Sequence, residues 1–205
     1  TFTGATSVKF NGVSAAYTVD NDSQITATVP ATATTGNVQV TTPSGASNTL
    51  TYTVILPPTT SGLSPSSGPV GTVVTVNAAN LGGSTNVSFA GTNAIPNTIT
   101  AGSLKATVPA GAQTGVLTVT TPAGTGGTLT FKVTPKIASL STTTGIRGST
   151  VVITGTTFTG ATAVKFNGVS ATYTVDNDNQ ITANVPATAT TGNLQITGPG
   201  GTSNT

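Results

Sequence analysis

The sequence is informative first through what it lacks, because it contains no cysteine, histidine, methionine or tryptophan. Glutamate is missing too, so the four acidic residues are all aspartates, and charged residues make up only 5% of the 205 residues. Without cysteine there is no disulfide, no thiol nucleophile and no thiolate metal ligand. Without histidine, cysteine or glutamate, no usual general base accompanies the serine and threonine hydroxyls. We therefore expect no enzymatic activity, no catalytic residue and no cofactor site.

Positive charge is too sparse for a nucleic-acid partner. Six lysines and arginines give a net charge of only +2, whereas neutralising phosphates needs a dense basic face. No apolar run approaches the length of about 18 residues that a membrane span needs. We expect neither nucleic-acid binding nor membrane contact from this segment.

Threonine dominates what is present, with 49 copies beside 25 glycines and 12 prolines. β-Branched side chains such as threonine and valine favour strands over helices. Strand-like segments recur about every 8 to 12 residues and are separated by glycine or proline, a spacing typical of β-sandwiches. The sequence therefore predicts an all-β protein.

The chain repeats itself. Residues 1–49 and 157–205 align without a gap, and 40 of the 49 pairs are identical. A diverged copy lies between them, in which Val87-Ser88-Phe89 corresponds to Val8-Lys9-Phe10. Equivalent positions are 79 residues apart between the first and second copies and 77 between the second and third. A fixed period of this length indicates a tandem array of small domains.

We predict three repeats, divided at the proline-bearing junctions 56–60 and 134–136. Residues 1–55 form a repeat without its opening strands, residues 56–134 a complete repeat, and residues 135–205 a repeat without its last strand. Two explanations remain for the incomplete ends. The chain is a window from a longer array, which we favour because each sandwich must complete its core, or neighbouring chains supply the missing strands.

Within the third copy we predict strands over residues 151–155, 163–166, 169–175, 180–185 and 192–197. Asn-Gly tolerates the positive φ angles of a two-residue turn, so hairpins are predicted at Asn11-Gly12 and Asn167-Gly168. The equivalent hairpin is less clear in the middle copy, which has Ala90-Gly91 there. The predicted core of the third copy consists of Phe158, Val164, Phe166, Tyr173, Val175, Ile181, Val185, Leu194 and Ile196.

Several motifs resemble the IPT/TIG family. These motifs are residues 63–72 (LSPSSGPVGT), 158–162 (FTGAT), 164–168 (VKFNG) and 180–186 (QITANVP), and the resemblance extends over the whole chain. It implies an immunoglobulin-like, early-set β-sandwich, as found in plexin-type receptors, some transcription factors, accessory domains of starch-acting enzymes and long bacterial surface proteins. No functional residues of the family carry over, because its DNA-contacting members use basic loops that this sequence lacks.

The acidic residues form two short clusters that are the only metal candidates. Asp20 and Asp22 flank Asn21, and Asp176 and Asp178 flank Asn177. Calcium is one alternative, although it takes six to eight oxygen ligands. A polar turn, in which Asp and Asn side chains bond nearby backbone, accounts better for the pattern.

These features favour a mechanical function: a non-catalytic repeat array in an extracellular stalk, fibre or filament of a bacterial surface protein. Its partners would be neighbouring repeats or copies of itself. The alternative is an adhesive or carbohydrate-binding accessory module of a larger secreted protein, whose loops bind a surface glycan or a host protein.

Overall fold

The structure is a computed structural model that describes residues 1–203; Asn204 and Thr205, which end the predicted third repeat, lie outside the described residues. The described chain consists of strands and turns without a helix, which confirms the all-β prediction. No helix in this part of the chain is long and apolar enough to cross a membrane. The chain divides into two compact units, Thr1–Leu56 (unit 1) and Pro57–Thr205 (unit 2).

Unit 1 contains seven strands in two sheets. The strands are β1 (Ser7–Phe10), β2 (Val13–Ser14), β3 (Tyr17–Asn21), β4 (Gln24–Ala27), β5 (Gly36–Thr42), β6 (Gly45–Ala46) and β7 (Leu50–Tyr52). One sheet has the order β2-β1-β5-β6, with β7 also paired to β5, and the other consists of β3 and β4 alone. The second layer is therefore only two strands wide.

Unit 2 begins with a sandwich of nine strands, which we call the second sandwich. The strands are β8 (Thr59–Ser64), β9 (Ser67–Gly68), β10 (Val73–Ala79), β11 (Asn86–Phe89), β12 (Thr92–Ala94), β13 (Thr98–Ile99), β14 (Ser103–Thr107), β15 (Gly115–Thr121) and β16 (Gly124–Val133). One sheet has the order β13-β14-β10-β8 and the other β12-β11-β15-β16-β9. All of these pairs are antiparallel except β9 with β16.

The rest of unit 2 forms the third sandwich. Its strands are β17 (Lys136–Leu140), β18 (Thr150–Thr156), β19 (Ala163–Phe166), β20 (Val169–Ser170), β21 (Tyr173–Asn177), β22 (Gln180–Asn184), β23 (Leu194–Gly198) and β24 (Gly201–Thr202). The sheet orders are β17-β18-β22-β21 and β20-β19-β23-β24. Among the described residues, no strand of the third sandwich takes the position that the end of β16 has in the second.

The predicted hairpins are confirmed. Asn11 and Gly12 have φ angles of 46° and 83°, and Asn167 and Gly168 have 45° and 83°, as a two-residue turn with positive φ requires. The middle copy forms the same turn with an alanine, Ala90, at φ 48°. Alanine rarely adopts this conformation, which is why the sequence indicated this hairpin less clearly.

One predicted strand, over residues 169–175, is wrong. The chain leaves its sheet after Ser170 and joins the other sheet at Tyr173, so β20 pairs with β19 and β21 with β22. Alternation of apolar and polar residues continues through this crossing. Alternation of this kind therefore indicates an extended backbone, but it does not indicate with which sheet each part of the segment pairs.

The depth of the core differs between the sandwiches. The second has fourteen buried core residues, including Phe89 and Phe131. Unit 1 has three, Val8, Phe10 and Ala33. In the third sandwich all nine predicted core residues lie in the core cluster; Phe158, Val164, Ile181 and Ile196 are buried, and the other five are partly buried. A sheet face can be buried only where an opposing layer covers it, so the two-stranded layer of unit 1 leaves a shallow core.

Candidate functional site

A groove of about 530 Å³ opens along one side of the third sandwich. Its floor is apolar and at least half-buried, whereas its rim is exposed and polar. The floor consists of Leu140, Val151, Phe166, Val185, Ala189 and Leu194, and the polar rim of Thr142, Thr143, Thr144, Arg147, Thr190, Thr191 and Asn193. The Nε atom of Arg147 donates a hydrogen bond of 3.3 Å to the carbonyl oxygen of Ala189, which ties one rim to the floor.

The second sandwich shows what fills this position in a closed domain. There the end of β16 lies between β9 and β15. Its Phe131 is 1% exposed and packs edge-on against Phe89, with ring centroids 5.4 Å apart. The backbone N–H of Val133 donates to Thr114 Oγ1 at 2.9 Å. The groove therefore lies at the position that the end of β16 occupies in the second sandwich.

Unit 1 repeats the same contacts around β7. Tyr52 packs edge-on against Phe10 at 5.3 Å, and the N–H of Val54 donates to Thr35 Oγ1 at 3.0 Å. The repeat spacings of 79 and 77 residues make Phe166 equivalent to Phe10 and Phe89. They make Thr191 equivalent to Thr35 and Thr114. The groove thus presents the aromatic ring and the hydroxyl that hold a strand in the other two domains.

The four aspartates accept hydrogen bonds within their own domain. Asp20 and Asp176 accept from Thr26 and Thr182 on the neighbouring strand, both at 2.7 Å. Asp22 accepts from the hydroxyl of Thr3. The Asp178 carboxylate accepts from the backbone N–H groups of Thr157 at 3.3 Å and Thr159 at 3.2 Å.

The asparagines between them close the turns. The side-chain oxygen of Asn21 accepts from the N–H of Ser23 at 2.9 Å, and that of Asn177 from the N–H of Asn179 at 2.8 Å. These are the side chain to backbone bonds of an Asx-turn. In residues 1–203 no three His, Cys, Asp or Glu side chains lie close enough together to share a metal ion.

We propose that Asp178 is a cap for the turn at residues 157–160 rather than a calcium ligand. Thr157 has a φ of 62° and is buried, so its N–H needs a nearby acceptor. Asp178→Ala should lower the free energy of unfolding by about 1–3 kcal/mol, the cost of leaving the buried N–H of Thr157 unpaired, as measured by chemical denaturation. Asp176→Ala, which removes an acceptor of exposed side-chain donors, is the control and should cost less than about 1 kcal/mol. A rise in unfolding temperature with added calcium would contradict the proposal.

Tyr17 and Tyr173 are part of the scaffold. Tyr17 donates its hydroxyl to the carbonyl oxygen of Ala5 at 2.8 Å, and Tyr173 donates to Ala161 at 2.9 Å. Both rings pack partly buried against their cores.

The sequence alone does not point directly to the groove, although a signal for it exists. The third repeat was predicted to lack its last strand, and self-alignment makes Phe166 and Thr191 the equivalents of strand-contacting residues. The charged, oxygen-rich clusters that the sequence offers as candidate sites do not line the groove. A comparison of the uncharged residues at equivalent positions of the three repeats, around the strand that the third repeat lacks, would have indicated the groove.

No curated protein matches the chain in sequence. Similar solved structures include SGBP-B from a xyloglucan utilization locus of Bacteroides uniformis (21% identity, 71% of this chain, 47% of that chain, TM-score 0.32). They also include the surface glycan-binding protein PbSGBP-B from Prevotella bryantii (20%, 67%, 36%, TM-score 0.38) and the plexin A4 extracellular region (18%, 94%, 20%, TM-score 0.40). This chain spans less than half the length of each of these structures.

The family comparison is decisive. The model of the IPT/TIG domain matches residues 58–134 and again residues 135–205, which together are more than half of the chain. The two matches cover the second and third sandwiches and identify them as immunoglobulin-like tandem domains. The chain therefore belongs to the IPT/TIG family.

Proposed function

We propose that this chain is a non-catalytic segment of an extracellular bacterial surface protein, in which tandem IPT/TIG repeats hold neighbouring parts of a stalk, fibre or filament at a fixed separation. Division into repeats at 1–55, 56–134 and 135–205 is part of this proposal. The observation that supports it is the junction between the second and third sandwiches. Only two residues, Thr134 and Pro135, separate the end of β16 from the start of β17.

Both sides of this junction are packed. Val133 is buried in the core of the second sandwich, and the N–H of Thr134 donates to the carbonyl oxygen of Gly68 at 3.1 Å. Pro135 is buried and lies beside Gly198, where an added Cβ would be 3.1 Å from its ring. A short linker with a fixed proline φ and packed neighbours has little freedom to bend. This rigidity suits a spacer.

The spacer proposal predicts a narrow distance distribution between the second and third sandwiches. Ala110 and Ala187 occupy equivalent exposed turn positions, one in each sandwich. Because the chain has no cysteine, Ala110→Cys and Ala187→Cys allow two spin labels to be placed without background. Electron-spin distance measurement on the full chain should give one narrow peak. A broad distribution, like that of domains on a flexible linker, would contradict a spacer function.

Carbohydrate binding is the second candidate, and the groove of the third sandwich is the feature that favours it. Threonine hydroxyls and Asn193 on the rim, with Phe166 below, combine hydrogen-bonding groups with an apolar surface, as ligand sites do. Two of the similar structures are named as glycan-binding proteins or come from glycan utilization loci. Saturable binding on a glycan array, weakened by Thr191→Ala, would support this function; no binding to any glycan would reject it.

A further inference from the structure

We propose that Asn11 and Asn167 are sites of spontaneous deamidation, and that the hydrogen bond from each Nδ2 atom to a threonine hydroxyl controls the rate of the reaction. Each of the two asparagines is followed by a glycine. The inference does not depend on the spacer function. It rests on the chemistry of the Asn-Gly pair, on the contacts that hold the two turns, and on an unreactive equivalent in the middle repeat.

The reaction needs only the chain and water. The main-chain nitrogen of the glycine loses its proton and attacks Cγ of the asparagine, the bond from Cγ to Nδ2 breaks, and ammonia leaves. Water then opens the resulting five-membered succinimide ring to aspartate or isoaspartate. Glycine favours the attack because it has no Cβ and its backbone is the most permissive. Asn11, Gly12, Asn167 and Gly168 are all exposed, so water reaches both sites.

In unit 1 the folded turn holds Asn11 in place. Its Nδ2 atom donates to Thr34 Oγ1 at 2.7 Å, and its backbone N–H donates to the carbonyl oxygen of Asn37 at 2.7 Å. A Cβ atom added at Gly36 would overlap Cγ of Asn11, so the carbon that must be attacked lies against the main chain of Gly36. Attack requires the two reacting atoms to be aligned at about 3–3.5 Å. We therefore expect the side chain to leave Thr34 before it reacts.

Asn167 has the same contacts in the third sandwich. Its Nδ2 atom donates to Thr190 Oγ1 at 2.8 Å, and its backbone N–H donates to the carbonyl oxygen of Asn193 at 2.8 Å. A Cβ atom added at Gly192 would overlap Cγ of Asn167. The surroundings of the two turns differ, because β7 lies beside β5 in unit 1, whereas the third sandwich contains β17 and β18. The contacts therefore belong to the turn itself and not to these strands.

The middle repeat provides an unreactive version of the same turn. Ala90 and Gly91 have φ angles of 48° and 97°, and the N–H of Ala90 donates to the carbonyl oxygen of Val116 at 2.9 Å. Alanine has no carboxamide, so no succinimide can form at this position. Asparagine adopts positive φ more readily than alanine, so the first and third copies combine an easier turn with a reactive side chain.

Deamidation would change both the charge of the chain and the two turns. Each conversion adds one negative charge, so conversion at both sites takes the net charge from +2 to zero. A carboxylate has no proton to donate to Thr34 or Thr190, and isoaspartate adds a carbon atom to the main chain within a two-residue turn. Loss of net charge promotes association between proteins.

The test is to incubate the full chain in mildly alkaline buffer, folded and in urea, and to measure tryptic peptides by mass spectrometry. Trypsin cleaves after Lys9 and Lys165, so the two sites fall in different peptides. Both sites should gain the mass of one deamidation, and faster in urea than in the folded chain. Thr34→Val should speed the reaction at Asn11 by about two- to tenfold, the factor that corresponds to one net hydrogen bond, and leave Asn167 unchanged.

Thr190→Val is the matched variant and should speed the reaction at Asn167 alone. Thr34→Ser keeps the hydroxyl acceptor and should leave the rate at Asn11 unchanged. Absence of deamidation in urea would overturn the two sites. Equal rates in urea and in the folded chain would overturn the protection by the turn, and this comparison needs no substitution. An unchanged rate at Asn11 in Thr34→Val, or an equal rise at both sites, would overturn the control by threonine.

Discussion

Replacing Phe131 with alanine should lower the free energy of unfolding of the second sandwich by about 3–5 kcal/mol, the usual cost of removing a buried phenylalanine ring. Phe131 is 1% exposed and contacts Phe89 edge-on, so its removal leaves a cavity between the two sheets. The effect is measurable as faster hydrogen exchange in β10 and β15 and as a lower midpoint of chemical denaturation.

Tyr52→Ala is the matched control, because Tyr52 holds the equivalent position and contacts Phe10 with the same geometry. Tyr52 is 44% exposed, so its truncation should cost only about 0.5–1.5 kcal/mol, the range of an aromatic pair. Equal losses for the two variants would mean that the last strand of unit 1 is covered as well as that of the second sandwich.

Replacing Gly200 with alanine should loosen the junction between the second and third sandwiches. A Cβ atom at Gly200 would overlap the carbonyl oxygen of Val133 and lie 2.7 Å from Thr114 Oγ1. Both neighbours belong to the second sandwich, so the strain falls between the two domains. Overpacking of this kind costs about 1–3 kcal/mol. Trypsin should then cleave faster after Lys132 and Lys136, which lie in the strands on either side of the junction.

Gly102→Ala provides the control for this substitution. A Cβ atom at Gly102 has no neighbouring atom within 4 Å, so the change should be neutral or should stabilise the chain by up to about 1 kcal/mol through the unfolded state. Unchanged trypsin cleavage in Gly200→Ala would show that the sandwiches move independently. In that case the spacer function would lose its structural support.

The sequence alone predicts the architecture well because the repeat is visible and the turn chemistry is local. Asn11-Gly12 and Asn167-Gly168 specify their turns by themselves, and the nine core residues of the third copy follow from alternation along the strands. Ala90-Gly91 shows the limit of this reasoning. There the surrounding strands impose a turn that alanine does not favour, a tertiary effect absent from the local pattern.

The candidate site is harder to predict, because it depends on which strand positions are filled. Nothing in Phe166 or Thr191 distinguishes them from Phe89 and Thr114 in sequence. Their environment differs because β16 packs beside Phe89 and Thr114, whereas no described strand of the third sandwich takes that position beside Phe166 and Thr191. The role of Asp178 is hidden for a similar reason, since its partners, Thr157 and Thr159, lie about twenty residues earlier.

The parallel pairing of β9 with β16 has a consequence for a protein under tension. The chain enters the second sandwich through β8, which directly precedes β9, and leaves it at the end of β16. A pull on the two ends therefore draws β9 and β16 in opposite directions along their length. The hydrogen bonds between β9 and β16 would then be loaded together in shear, and would not break one after another. Resistance to stretching would therefore depend on a patch of only a few residues beside the domain exit.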